Sequence, residues 1–291
     1  MPGDLDFRAA MEAAGLRPPA VLIADGLIHR CKRLDKNKLD GAYKLFPSYS
    51  YGGFENWSDG RGWQKWGNGH HNTEKMDRAA YIAAVRADEE KRNRASLKAA
   101  MMWEGATEGS HPYLCRKGIC SNGSRVLGDS LLIPMRSIEG KLRSLQMIHS
   151  DGSKLFLTGG RTKGCFHVLL RTKSQDDAIY ICEGFATGST IHAATGGACV
   201  VIAFSCGNLG PVCKAIREKR PTTRIIVCAD NDRLTEGNPG LAHARAAAAA
   251  IHARLCIPDF TGEGTDFNDM AAIHGISAVK KQLNCSIKAR D

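Results

Sequence analysis

The sequence predicts a multidomain chain of α/β and α+β type, with a small β-rich N-terminal module, a mixed antiparallel subdomain and a C-terminal parallel sheet flanked by helices. Three observations carry this reading. Residues 176–275 alternate apolar strand-like runs with helix-forming segments, which implies parallel strands joined by right-handed crossovers. Residues 1–80 hold short alternating runs around Asp-Gly turns. Acidic residues close the apolar runs of the C-terminal half: Glu183 after AIYIC, Asp230 and Asp232 after RIIVC, and Asp266 and Asp269 in GTDFNDM. Carboxylates just past buried strands converge at one edge of a parallel sheet, where open α/β sheets keep their ligand sites and a divalent metal can gather them.

Taken in order, residues 1–80 read as strands and turns. VLIADGLIHRCKR predicts a strand pair around Asp25-Gly26, and YGGFENWSDGRGWQKW a second around Asp59-Gly60. Residues 81–105 belong to a helical linker, because the run from Asp77 to about Met102 has helix formers throughout and no Gly or Pro. Residues 106–175 open on a helical turn at HPYLCRKGI and continue as strands SLLIPMRS, KLRSLQMIH and KLFLTG, separated by EG and DG turns. Over 176–275 the expected order is strand AIYIC, helix 185–194, strand CVVIAFS, helix 211–219, strand RIIVCAD, helix 240–253, strand RLCIP and a helix opening at DFNDM. A basic tail, 276–291, follows.

Composition narrows the function classes. The chain has 291 residues, of which 43% are apolar, enough for real cores. Nothing in it reads as a signal peptide or a membrane span, so the expected location is the cytoplasm. Most of the eleven cysteines, among them Cys182, Cys199, Cys228 and Cys256, lie in or beside apolar runs and read as reduced thiols acting as small hydrophobes. No C-x2-C pair is present; the nearest is Cys115 with Cys120, and His70 and His71 could join Cys31, yet loop histidines are commonly just solvated, so no zinc is expected. The net charge of +10 is concentrated: residues 110–175 carry eleven Lys and Arg against three Asp and Glu, directly before a segment with eight against eleven. A basic surface beside a carboxylate cluster suits a polyanion held by one part and reacted on by the other, and a solvated basic face is the plainer alternative.

Glu183-Gly184 after a strand, ATG running into a helix, Asp230-x-Asp232 after a later strand, and Asp266-Phe267-Asn268-Asp269 together resemble the Toprim domain shared by bacterial and phage primases, topoisomerases and some nucleases. Upstream, YLCRKGI, LLIPMRSIEGKLRSLQMI and SKLFLTG resemble the polymerase core of bacterial primases, which favours the primase branch. Residues 20–66, with Asp25-Gly26, His29-Arg30 and the Trp57–Trp66 stretch, resemble the leading segment of plasmid- and phage-borne primase-like proteins. Replicative primases carry a zinc ribbon there, and this sequence shows neither that ribbon, nor a helicase-interacting bundle, nor a P-loop.

The resemblance implies a DNA primase that makes short RNA primers on single-stranded DNA by nucleotidyl transfer, using two Mg2+ or Mn2+ ions, for a plasmid, phage or integrated element. Glu183 would be the catalytic carboxylate and also a metal ligand, Asp230 and Asp232 would be catalytic as the main metal ligands, and Asp266 and Asp269 would be further ligands. Gly184 and Gly188 would let the backbone approach phosphates. Arg116, Lys117, Lys154, Arg161 and Lys163 are the candidate template contacts, with Tyr113 or Phe156 as stacking rings unless both are core residues. The aromatics of the N-terminal module (Tyr49, Tyr51, Phe54, Trp57, Trp63 and Trp66) either meet nucleic acid or fill a small β core. Expected partners are the single-stranded template, nucleoside triphosphates and a helicase or other replication protein on a separate chain, with no membrane.

Each acid has a plainer reading. Asp230 and Asp232 suit a turn, Glu183 a helix first turn and Asp266 an N-cap. At the level of the whole chain, the alternatives are a Toprim metal-dependent nuclease and a noncatalytic module that binds DNA or a helicase.

Overall fold

The computed structural model describes residues 2–47, 49, 51–67, 78–259 and 264–288. The chain divides into two compact units, Met1–Glu90 and Lys91–Asp291. His70 and His71 lie outside the described residues.

In the first unit, helix α1 (Pro2–Ala13) precedes a sheet of five strands in sequence order: β1 (Leu16–Arg17), β2 (Ile28–Arg33), β3 (Gly41–Leu45), β4 (Tyr51–Asn56) and β5 (Gln64–Gly67). Every neighbouring pair is antiparallel. The expectation of strands alone needs correction at the start of the chain. Phe7, Met11 and Ala14 recur at i, i+4 and i+7, so they form one helical stripe, and that stripe packs on Leu16, Cys31, Tyr43, Leu45 and Phe54. The strand pair expected around Asp25-Gly26 does not form either. Asp25 Oδ1 accepts from the Leu27 N–H and meets His29 Nε2 at 2.8 Å, which fixes a local turn, and β2 takes β1 as its partner instead. The second expected pair is present as β4 and β5, with Asp59-Gly60 in the connection and Gly60 at φ 68°.

Helix α2 (Arg78–Glu104) runs unbroken, as its lack of Gly and Pro predicts. Its C-terminal half does more than link. Ala99 is fully buried, and with Ala106, Leu132, Leu145 and Leu157 it closes a core on one face of a four-stranded antiparallel sheet. The strands of that sheet, in order, are β6 (Arg125–Leu127), β7 (Ser130–Arg136), β8 (Leu142–His149) and β9 (Lys154–Phe156). The run SLLIPMR is apolar without alternation because β7 is buried on both faces. Leu132 points into the α2 core, while Leu131, Ile133 and Met135 join the main core. Pro134 is tolerated because β6 has already ended beside it. Before this sheet, the short α3 (Pro112–Lys117) starts at His111, whose ring accepts from the Tyr113 N–H, and stops at Gly118 in the left-handed region.

The second sheet has the order β10-β12-β11-β13-β14, formed by β10 (His167–Leu169), β11 (Ile179–Cys182), β12 (Cys199–Ile202), β13 (Ile225–Cys228) and β14 (Arg254–Cys256). Four strands are parallel, as the alternation predicts. β10 pairs antiparallel with β12 and forms one edge. This strand lies in the expected 106–175 segment, and the main core runs through both sheets, from Leu131 and Ile133 to Tyr180, Val200 and Ile226. The boundary placed at 175/176 therefore falls inside one compact unit. Helices α4 (Phe185–Ala194), α7 (Phe267–His274) and α8 (Ile276–Lys288) cover one face of this sheet; α5 (Cys206–Lys219) and α6 (Pro239–Ala250) cover the other. α5 starts at Cys206, five residues before the expected Pro211, which therefore lies inside the helix in its second turn rather than at its start. α6 likewise runs from Pro239, not to Ala253 but to Ala250, because the turn at Ile251–His252 ends it.

α4 approaches the sheet closely. A Cβ at Gly188 would stand 2.6 Å from Ile202 Cγ1 and 3.1 Å from Cys182 Sγ. Gly188→Ala is expected to destabilise the protein by about 2 kcal/mol through overpacking, and Ile202→Val to recover part of the loss in the double variant. Denaturant unfolding of the four proteins in that cycle measures the coupling.

Candidate active site

The acidic cluster follows from strand register. β11 and β13 are adjacent and parallel, with Cys182 opposite Cys228, so the chain leaves both strands at the same level. Glu183 follows β11 immediately and Asp230 follows β13 after one alanine. From β11 the chain crosses over to β12 on one side, and β13 lies on the other, so these ends border the point where strand order reverses, the usual ligand crevice of an open α/β sheet.

Each carboxylate is held differently. Glu183 accepts from the Cys206 backbone N–H at the start of α5, whose cap residue Ser205 makes no side-chain cap of its own. Asp232 Oδ2 accepts from the Gly240 N–H at 3.2 Å, near the start of α6. Asp266 caps α7, with Oδ1 accepting from the Asn268 and Asp269 N–H groups at 2.8 Å, while Oδ2 accepts from Thr187 Oγ1 at 3.0 Å. Asp230 Oδ1 is buried with no hydrogen-bond partner. Three helix starts thus aim their N-terminal dipoles at a group of anions.

Electrostatics bind four of the five acids into one cluster. Burial first, then the Asp232 and Asp266 charges, push Glu183 up to about 7, against the Cys206 N–H and the Lys154 ammonium. Asp230 is raised well above the usual carboxylate range by burial and by Glu183, Asp266 and Asp232, with Lys154 again opposing. Asp269 turns elsewhere: Oδ2 accepts from the Thr265 N–H at 3.0 Å and Oδ1 stands 3.5 Å from Lys117 Nζ. Among the described residues no three acidic, histidine or cysteine side chains already stand as a closed metal cage. The donor set still fits a hard divalent cation, because the carboxylates repel one another and one buried oxygen is orphaned. Mg2+ in particular needs only one or two carboxylates when waters and substrate phosphates complete its shell.

The predicted basic residues separate. Lys117 reaches Asp269, while the Lys154 charge acts on Glu183 and Asp230 from a place where its Nζ lies 5.7 Å over the Tyr113 ring. The Arg116 guanidinium lies against the turn at Gly152. Arg161 donates to the Lys163 carbonyl at 3.3 Å, and its charge acts on Glu139 and Cys165 rather than on the acids. Lys163 is exposed on the same loop. Tyr113 is a core residue, 3% exposed, whereas Phe156 is 38% exposed with its ring edge-on to Phe204 at 6.4 Å.

Gly184 is the N-cap of α4 and stays near the acids, but Gly188 is walled in by Ile202 and Cys182. The phosphate-approach role expected of Gly188 is therefore corrected to one of helix packing. Gly240 is the glycine that the sequence reading missed. A Cβ there would meet Asp232 Oδ2 at 2.8 Å and the Asp230 carbonyl at 2.9 Å. Thr187 and Asn208 were missed too. Asn208 accepts from the Gly164 N–H at 2.7 Å and donates to the Cys165 and Ala203 carbonyls, strapping the basic 161–165 loop to α5. Phe204, at φ 71°, donates its N–H to the Glu183 carbonyl at 2.8 Å, so a strained residue borders the cluster. Helix-start position flags Thr187 and Gly240; no sequence signal marks Asn208 or Phe204.

A raised carboxyl costs stability as it ionises. With a folded pKa of about 7 and an unfolded value of 4.5, the contribution of Glu183 is fully present below pH 4.5 and is lost as pH rises through 7, a swing of about 3 kcal/mol. In chelator, Glu183→Gln should therefore gain stability over the parent between pH 5 and pH 8, read as a widening gap in thermal midpoint. A gap that does not depend on pH would refute the assignment.

Comparison with known proteins places these features. Residues 178–277 match the Toprim domain family. Over 172 residues, 56% of this chain, the sequence is 37% identical to a DNA primase TraC of Escherichia coli, and over 195 residues, 62% of the chain, it is 33% identical to another TraC of that species. The chain spans only 12% and 18% of the length of these relatives. Among solved structures, the primase fragment of the bacteriophage T7 primase-helicase protein aligns over 58% of this chain and 73% of its own, with 17% identity and a TM-score of 0.44. The DnaG primase catalytic domain bound to ssDNA aligns over 69% of this chain and 71% of its own, with 13% identity and a TM-score of 0.41. Among the described residues no helix is long and apolar enough to cross a membrane. The strand-end carboxylates at Glu183, Asp230, Asp232 and Asp266 thus lie within the stretch that matches the Toprim domain family, in a chain similar in sequence to DNA primase TraC.

Proposed function

We propose that this chain is a DNA primase that joins ribonucleotides on a single-stranded DNA template. The observation that carries the proposal is the cluster of Glu183, Asp230, Asp232 and Asp266 at the ends of paired strands, with Lys154 as the cation in reach of it. The sequence kinship to DNA primase TraC supports the same reading, and so does the excess of positive charge in residues 110–175. Taken as separate working parts, residues 1–80, the 81–105 helix, the 106–175 basic segment, the 176–275 Toprim segment and the 276–291 tail are part of this proposal.

Asp230 and Asp232 would hold the divalent ions, Mg2+ or Mn2+, with Asp266 and Asp269 supporting them. When bound, such ions lower the pKa of the attacking 3′-hydroxyl and neutralise the leaving pyrophosphate. Glu183, poised near neutrality, is matched to take the proton from that hydroxyl. Lys154 stands where it would steady the triphosphate charge and lower the proton affinity of both buried acids. Gly184 keeps the entry to α4 open for a phosphate, and Arg116 and Lys117 would hold template phosphates with Arg161 and Lys163 farther along. A replicative helicase or another replication protein is the proposed macromolecular partner.

The test is synthesis on unprimed single-stranded DNA with labelled ribonucleotides and Mg2+ or Mn2+. Short products that fall at least a hundredfold in Glu183→Ala and in Asp230→Ala support the reading; template cutting without synthesis would replace it with a nuclease. Lys154→Ala should shift the acidic limb of the pH–rate profile upward, since removing the ammonium raises the Glu183 pKa further. An unmoved limb would separate Lys154 from Glu183.

A further inference from the structure

The sheet of the first unit has two unlike faces. Residues directly opposite one another on neighbouring strands share a face, so the register separates them. One face carries the rows His29–Tyr43–Phe54–Gln64 and Leu45–Gly52–Trp66. That face is covered by α1, with the Phe7 ring 4.9 Å from Trp66.

The other face carries the rows Ile28–Lys44–Gly53–Lys65, Arg30–Ala42–Glu55 and Arg17–Lys32. Five cations therefore stand on the strands of this face, against one acid, Glu55. Aromatic rings border the same cations. The Arg30 guanidinium lies 4.6 Å over the Trp57 ring, and Lys44 Nζ 4.8 Å over Phe46, which in turn is 5.5 Å from Tyr51. A Cβ at Gly53 would come 2.5 Å from Trp63 Nε1, so the missing side chain lets that indole lie down on the strand. Tyr51, Trp57 and Trp63 are 49%, 39% and 38% exposed.

We infer that this open face of the N-terminal sheet binds single-stranded nucleic acid, with Trp57, Trp63 and Tyr51 stacking on bases and Arg17, Arg30, Lys32, Lys44 and Lys65 answering the phosphates. Rings laid against a sheet among cations present flat apolar surface and positive charge at the spacing of a flexible strand. Any base offers a ring face to stack on, so the binding tolerates sequence. Duplex hides those ring faces and fits the surface poorly. The remaining aromatics of the module, Tyr49, Phe54 and Trp66, serve the core, which divides the six rings noted in the sequence between two tasks.

The site needs neither metal nor nucleotides, so it is tested apart from primer synthesis. The full-length chain in chelator is titrated with a fluorescent oligothymidylate, following its anisotropy and the intrinsic tryptophan emission. The double variant Trp57→Ala/Trp63→Ala should bind at least tenfold more weakly and lose most of the emission quenching, at an unchanged thermal midpoint. Should that variant unfold early, Lys44→Glu/Lys65→Glu, which alters a half-buried and an exposed charge and leaves the core untouched, decides. It should weaken binding at least tenfold and flatten the dependence on salt. Affinity unchanged in a folded variant, or equal affinity for a duplex of the same length, overturns the inference. An oligouridylate competitor shows whether DNA or RNA is preferred. Primer synthesis lost by Glu183→Ala with oligothymidylate binding retained would leave both readings standing, each on its own evidence.

Discussion

The in-register pairing of β11 with β13 governs the larger unit. It sets Glu183 and Asp230 side by side at the end of a sheet whose interior is Tyr180, Ile181, Ile226 and Val227, all essentially inaccessible to water. Burying two acids beside two more costs folding energy, and the structure spends its helix starts to offset it: α5 toward Glu183, α6 toward Asp232, α7 toward Asp266. The orphaned Asp230 oxygen is what those dipoles leave uncompensated. On the proposed reading a divalent cation would complement that deficit, so the atoms that cost folding energy are the ones that would hold the metal.

The opposite ends of the same strands show the contrast. There Tyr180 Oη donates to Asp176 at 2.5 Å, and Arg224 reaches Asp176 at 2.7 Å and Asp177 at 3.2 Å. Charges at that end are matched one to another, and the Asp176 pKa is lowered by Tyr180, the Ala178 N–H and Arg224 in spite of burial. One end of the sheet is built to be satisfied and the other to be completed.

Much of this was legible in the sequence, and the reason is local. Apolar runs of four or five residues closed by Glu or Asp mark strand ends, and helix formers between them leave little choice of topology. What escaped depends on partners distant in the chain. Nothing near VLIADG reveals that β2 will pair with Leu16–Arg17, and the Phe7–Met11–Ala14 stripe has meaning only once a sheet lies beneath it. Pro211 reads as a helix start, although the Glu183 carboxylate supplies the true start from twenty-three residues upstream, at Cys206. Glycines were the hardest to read, because Gly188 and Gly240 look alike in sequence, yet one receives Ile202 and the other Asp232.

Both edges of the five-stranded sheet are only three residues long, His167–Leu169 on one side and Arg254–Cys256 on the other. Its central segments IYIC, CVVI and IIVC are short, uncharged and rich in β-branched residues, the composition that stacks into intermolecular β-structure when a chain is left open. With so little exposed ladder at either margin, the folded sheet offers a second copy almost nothing to extend. The hazard is confined to the interval before β10 and β14 dock, so slow folding, rather than the native state, is where this protein would be lost to aggregation.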